Sequence, residues 1–303
     1  MDTPDSVFRA RPLLGTFVEI RSTGATRFAA ERAIDAAFAT IAKVHRQMSF
    51  HDSDSDVGRL NREACKRSVE VNPWTYDVLE AALDLQRQSA GVFDIAVAPA
   101  LQKLGLLPRD SQNSENGSTD TATSDAIELL SGNRVRFHHS GTRIDLGGIA
   151  KGFAVDRAIE VLREQNQLHG LVNAGGDLAA FGSAAEIVHI RDPRFPHKAL
   201  CELAIANAAL ASSGQLSNPL ESFDCLGSSA VNPATQEPAT EIVGTTVRAS
   251  SCTIADALTK VVMIIGERAA AILSKYQASA LLVQKSGEVR MTPGWQDGVR
   301  APA

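Results

Sequence analysis

Apolar side chains recur at Phe28, Ala29, Ala33, Ile34, Ala37, Phe38, Ile41 and Val44, a three-to-four-residue spacing that predicts one long amphipathic helix over residues 26–48. A second helix is predicted over residues 73–88. Asn72 stands where an N-cap belongs, Pro73 takes the first helical position, and Val78, Leu79, Ala82, Leu83 and Leu85 form the apolar stripe. Shorter helical patterns cover residues 149–165, 253–266 and 267–276. Weakly alternating runs bounded by turn residues predict strands at 14–22, 127–130, 134–138, 170–173, 178–181, 187–191, 242–249 and 280–284. Strands and helices mixed in this order read as an α+β fold. Neither a repeat nor a linker is visible, so residues 1–303 are expected to form a single domain, open to division into two lobes with a cleft. Residues 109–126 break the pattern. They are almost wholly polar, cannot join a core, and are expected to form a disordered surface insertion.

Composition narrows the function. Hydrophobic residues make up 44% and charged residues 21%, which fits a globular protein, and only 5% are aromatic, so alanine and aliphatics must fill the core. The net charge of -5 argues against nucleic acid or an anionic membrane as partner, because both select basic surfaces. The longest apolar run, residues 261–265, is far short of the roughly 18 residues that cross a bilayer, so membrane insertion is not expected. Residues 1–11 are polar and lack the apolar stretch of a secretory signal, so a cytoplasmic location is expected. Cys65, Cys201, Cys225 and Cys252 are scattered without metal-ligand spacing, which points to reduced thiols rather than zinc or disulfides.

Three segments carry candidate chemistry. In the run from Arg143 through Asp145, Gly147, Gly148 and Lys151 to Arg157, a strand end meets two glycines and then a helix start. Bare amides at a helix N-terminus bind anions, and Lys151 in that first turn opposes the helix dipole unless an anion sits there. The same residues also fit a plain turn with a solvated lysine. The second segment, Asn173-Ala174-Gly175-Gly176-Asp177, lies 28 residues further on and fits either a hairpin or a ligand-facing loop. The third, residues 249–260, places Asp256 in the first turns of a helix, as a dipole partner or as an oxygen ligand for a hard metal such as Mg²⁺. The acidic run with Asp52, Asp54 and Asp56 at alternate positions, and Glu63 after it, has the beginning of a calcium loop. Val57 stands where that loop needs glycine, so a solvated loop or a helix cap is the better reading.

Taken together these residues resemble the ApbE family, the FAD:protein FMN transferases. Ile144 to Asp156 is close to the family signature and Asn173 to Asp177 is its second motif. Leu14-Gly15-Thr16, Met48-Ser49 with residues 55–61, Gly91 to Ile95, Ala211 to Gly214 and Ala255 to Leu258 follow in collinear order. The resemblance implies a T-fold-related arrangement of mixed sheets and helices with FAD held between two lobes. It implies Mg²⁺-dependent transfer of FMN from FAD to a Thr or Ser hydroxyl of a target flavoprotein, with AMP released. It further implies that Leu14, His51, Val92, Phe93, Asp94, Asp145, Lys151 and Ala230 bind the flavin nucleotide. Asp256 would be the catalytic metal ligand, joined by the Gly148 carbonyl, Thr259 and the position of Lys260.

Several of these positions depart from the family pattern. Leu14 replaces a Met and His51 a Tyr, and Ser229 to Pro233 lacks the His and Asp of the corresponding motif. Lys260 replaces the family's metal-binding Thr. The expectation is that Lys260 points away and leaves Asp256, Thr259 and Gly148 to hold Mg²⁺; the alternative is that its ammonium takes the metal position. A FAD-holding module without turnover, or a pyrophosphatase giving FMN and AMP, would use the same residues.

Overall fold

The glycine-flanked runs at residues 170–173 and 178–181 become neighbouring strands of a nine-stranded sheet in the computed structural model, which describes residues 5–108, 123–216, 227–228, 230–297 and 299–300. The chain divides into two compact units. One comprises Met1–His45, Ile149–Gly214 and Thr240–Ala303; the other comprises Arg46–Gly148 and Gln215–Ala239.

The first unit is built on the large antiparallel sheet. β1 (Asp5–Leu13) and β2 (Thr16–Gly24) form a hairpin whose turn is Leu14-Gly15. The predicted strand at 14–22 is therefore displaced by two residues: Leu14 has φ 56° and Gly15 φ 72°, which the tight turn requires and an extended strand excludes. After α1 (Arg27–Met48) the chain leaves this unit; Ala33, Ile34, Ala37, Phe38, Ile41 and Val44 of the predicted stripe are buried, but Phe28, in the first turn of the helix, is exposed. The chain returns at α5 (Ala150–Glu164). Next come β6 (His169–Ala174), β7 (Asp177–Gly182), β8 (Glu186–Asp192), β9 (Phe195–Ile205) and β10 (Ala208–Leu216). The last stretch adds β12 (Ile242–Ala249), α6 (Cys252–Ile265), α7 (Ala270–Lys275), β13 (Ser279–Gln284), β14 (Val289–Met291) and β15 (Val299–Arg300). The helix predicted over 267–276 begins as a 3₁₀ turn, Gly266–Ala269, before α7. Strand order in the sheet is β1-β2-β6-β7-β10-β12-β13-β14.

Period-two burial along β6 sends Gly170, Val172 and Ala174 inward, and α5 and α6 cover that face. A smaller sheet, β15-β9-β8, packs on the other face around Leu178, Ile190, Leu203, Leu210, Leu281 and Trp295. No described helix is long and apolar enough to cross a membrane.

The second unit holds α2 (Asp56–Glu63), β3 (Val69–Glu70), α3 (Pro73–Gln88), α4 (Ala98–Lys103), β4 (Ile127–Leu130), β5 (Arg134–Phe137) and β11 (Gly227–Ser228). β3, β5 and β4 form a small sheet, and β11 pairs with Gln215 and Leu216. Asn72 caps α3 as predicted, accepting from the Trp74 amide at 3.1 Å. The acidic run proves to be a helix start. Ser55 caps α2, and buried Asp56 accepts from Thr75 Oγ1 at 2.7 Å and the Asn72 amide at 2.9 Å, tying α2 to α3. Of the predicted insertion, residues 109–122 lie outside the described residues. Its expected end at residue 126 is too late: Ser124–Ala126 forms a 3₁₀ turn in which Ser124 is buried and donates to Asp94.

Candidate functional site

α5 starts immediately after Gly147-Gly148, and its third residue, Gly152, lies hard against the backbone of α6: a Cβ there would collide with the Cys252 carbonyl oxygen. This approach, rather than freedom at φ, is what glycine provides at that position. One turn later Asp156 reaches across to the first amides of α6. It accepts from Cys252 N at 2.8 Å, Thr253 N at 2.8 Å and Thr253 Oγ1 at 2.5 Å, while Ser251 caps the same helix from within the chain. The return contact comes from Asp256, whose Oδ2 accepts from the Gly152 amide at 3.2 Å. Asp256 thus satisfies an orphan donor of the neighbouring helix.

Asp256 belongs to a network of four charged side chains. Lys151 bonds Asp177 Oδ2, and Lys260 Nζ lies 3.2 Å from Asp256 Oδ1. Asp177 is placed there by the β6–β7 hairpin, whose Gly175 (φ 67°) and Gly176 (φ 103°) make the left-handed two-residue turn; the Gly176 amide donates to Asn173 Oδ1 at 2.9 Å. The hairpin and the ligand-facing readings of this motif therefore coincide: the turn sets an aspartate on the helix-covered face. Both carboxylates are fully buried. Burial and then repulsion from Asp256 push the Asp177 carboxyl up to about 6, against the pull of Lys151 and Lys260. Burial acts the same way on Asp256, but Lys151, Lys260 and the Gly152 amide outweigh it and hold Asp256 below the usual carboxylate range. Burial by itself would lower the Lys151 ammonium; the two aspartates reverse this and hold it above the ordinary lysine range. Asp177 Oδ1 is buried with no hydrogen-bond partner, an acceptor left open within the network. Cys252, beside it, is fully buried with its thiol raised by burial and the adjacent aspartates, so it is not a thiolate nucleophile.

Lys260 does not point away, contrary to expectation. Its Nζ is 2.7 Å from Ser213 Oγ, 3.0 Å from Thr259 Oγ1 and 3.2 Å from Asp256 Oδ1, one acceptor for each ammonium proton. Ser213 and Thr259 hydroxyls are 2.7 Å apart, and Thr259 donates on to the Asp256 carbonyl at 2.6 Å. These oxygens are the donor type that Mg²⁺ takes, but the ammonium already claims them, and two cations cannot share the position. The described residues also hold no group of three His, Cys, Asp or Glu side chains able to bind a metal. The side chains as arranged do not fit a divalent ion. Ser213 is also among the residues around a cavity of about 620 Å³ in this unit, but Leu178, Leu210 and Leu281 of that lining lie on the sheet face away from α5 and α6, whereas the Ser213 hydroxyl turns to Thr259 and Lys260 on α6.

Leu14 is half-buried in the β1–β2 turn of the first unit. His51, Val92, Phe93, Asp94, Asp145, Gly148 and Ala230 belong to the second unit. There His51 is exposed, Val92 half-buried, and Phe93 and Ala230 buried. Asp94 accepts from Ala96 N at 2.7 Å, from Ser124 N at 3.1 Å and from Ser124 Oγ, so its carboxylate is committed to its own unit's loops. Asp145 Oδ2 accepts from the Gly147 amide at 3.0 Å, which shapes the turn before α5. Sequence reasoning did not single out Asp177, Asp156 or Ser213 as site residues. All three lay inside segments that carry the family resemblance, but nothing local marks their side chains: Ser213 sits in a strand of small residues without apolar alternation.

The family model described as the ApbE family matches residues 14–283. A Vibrio cholerae protein named FAD:protein FMN transferase is 27% identical over 258 residues, covering 81% of this chain and 77% of that one. One of the same name from Treponema pallidum is 26% identical over 320 residues, covering 96% and 88%. Among solved structures, the ApbE protein of Thermotoga maritima superposes with a TM-score of 0.85 at 24% identity, covering 98% of this chain and all of that one. The apo flavinyl transferase ApbE of Pseudomonas stutzeri gives 0.84 at 21% identity, covering both chains in full.

Proposed function

Because the chain belongs to the ApbE family, and shares the fold of the solved ApbE structures, we propose that it is an FAD:protein FMN transferase. It moves FMN from FAD to a Thr or Ser hydroxyl of a target flavoprotein and releases AMP. The hydroxyl oxygen bonds to the FMN phosphorus, the bond from that phosphorus to the bridging oxygen breaks, AMP departs with the bridging oxygen, and the hydroxyl proton passes to water. Such a transfer needs positioning and charge neutralisation more than covalent help from the protein.

The observation that carries this reading is the buried network of Lys151, Asp177, Asp256 and Lys260 at the α5–α6 contact. Two ammonium groups held beside a glycine-turn helix start are suited to the negative oxygens of a pyrophosphate. The carboxylates fix both lysines in place, and they hold the Lys151 ammonium above the ordinary lysine range. The Mg²⁺ dependence expected from the sequence has no step here, since Lys260 occupies the oxygens that would hold the ion.

Incubation with FAD and a Thr-bearing flavoprotein acceptor tests the reading, with AMP release and in-gel flavin fluorescence as readouts. Both products are expected. AMP without labelled protein identifies a pyrophosphatase, and bound FAD with neither product a module without turnover; either result removes the transferase assignment.

A further inference from the structure

The Lys260 ammonium is more than a surface ion pair. Its side chain is only 15% exposed, its three protons meet three oxygens from three residues, and those oxygens continue a closed chain of donors from Ser213 through Thr259 to the Asp256 carbonyl. Two of those residues, Asp256 and Thr259, are ones that sequence reasoning assigned to a metal. With Lys260 in place, the two ammonium groups of Lys151 and Lys260 face the two carboxylates of Asp177 and Asp256, and the quartet balances without a further cation.

We propose that Lys260 is a built-in monovalent replacement for a divalent metal, so that this chain binds the pyrophosphate of FAD without Mg²⁺. The inference rests on the proposed function for the identity of the ligand. A lysine carries half the charge of Mg²⁺ and acts as a point charge with no coordination geometry, so it anchors a phosphate without the Lewis-acid polarisation a metal supplies.

Two measurements test the proposal. The first uses the unaltered protein: FAD affinity by calorimetry in EDTA and in excess Mg²⁺, and Mn²⁺ binding followed by electron paramagnetic resonance. The expected result is an FAD affinity that changes by less than about twofold between EDTA and Mg²⁺, with no site-bound Mn²⁺. The second uses Lys260→Thr and Lys260→Met. Lys260→Thr restores an oxygen and removes the ammonium, so it should gain bound Mn²⁺, and its FAD affinity should rise roughly tenfold or more on adding Mg²⁺. Lys260→Met supplies neither charge nor oxygen and should bind FAD roughly tenfold more weakly in either buffer.

If the unaltered protein needs Mg²⁺ for FAD binding, the ammonium does not replace the metal and the inference fails while the transferase reading stands. If it binds no FAD in either buffer, both fail together. If folded Lys260→Met binds FAD as tightly as the unaltered protein, Lys260 serves only the fold and the inference is likewise overturned. Should a variant not fold, the measurements on the unaltered protein decide alone.

Discussion

Asp256 has two obligations that a metal ligand would not have: it accepts the Gly152 amide and it balances Lys260. Removing it leaves an ammonium and an amide without their acceptor inside the protein, so Asp256→Ala should cost about 3–5 kcal/mol of stability. A sequence-level view of Asp256 as a detachable ligand expects an intact fold instead. Urea denaturation decides, and a loss below about 1 kcal/mol would dissociate the network from folding. Asp177 makes a second, opposite-signed prediction. Its folded-state value of about 6 lies above the ordinary aspartate value of 3.8, so the folded protein binds more protons than the unfolded chain between those limits. Its contribution is therefore fully present below about pH 4 and is lost as pH rises through about 6. Asp177→Asn, which does not titrate, should gain in melting temperature on the unaltered protein across that window, whatever the offset from the lost Lys151 bond. A difference that stays flat with pH would refute the assignment.

Among the elements, the α5–α6 pair organises the site, and it does so by close approach. Gly152→Ala would push a methyl into the Cys252 backbone, which cannot rotate aside as a side chain could, so the helices must separate. About 1–3 kcal/mol of destabilisation is expected from such overpacking. FAD affinity should fall with it, because Asp256 is positioned through the same contact. Asp156→Ala removes the cross-helix cap of α6 and should cost about 1–2 kcal/mol in the same denaturation measurement. Unchanged stability in either variant would show that the crossing is not tight. These elements were legible to different degrees. α1, α3, α5 and α6 announced themselves by apolar spacing and by Asn72 and Pro73, and β4 and β12 by their β-branched and aliphatic runs. β10, AALASSGQL, was missed because alanine, serine and glycine carry little strand preference, yet it is a central strand whose small side chains leave room for the Ser213–Thr259–Lys260 network. β1 was missed because Arg9, Arg11 and Pro12 suit an edge strand and give no apolar alternation. The motif residues Lys151 and Asp256 were found from the sequence. That an ammonium and not a metal completes their cluster could not be, since whether a lysine folds inward depends on the oxygens that three separate segments bring to it.

For the whole molecule, the first unit is assembled from three stretches of chain, with the second unit's residues lying between them. A chain ending at residue 239 therefore lacks β12, α6 and β13, and with them Asp256 and Lys260. In that truncation, hydrogen exchange should find α1, α5 and β6 unprotected, whereas the full chain protects them. Native-like protection in the truncation would show that the early segments fold without the last. The discontinuity also sets a timetable. Glu19 of β2 reaches its partner Asn173 of β6 across 154 residues, so β2 waits for a strand made much later. At translation speeds of about 5–20 residues per second the wait is roughly eight to thirty seconds. Through that interval the outer edge of the β1–β2 hairpin is guarded by Arg9, Arg11 and Pro12, while the inner edge, destined for β6, offers its backbone groups to any other extended chain that passes. Until β6 has been made, the edge of β2 that it covers has no strand to close it.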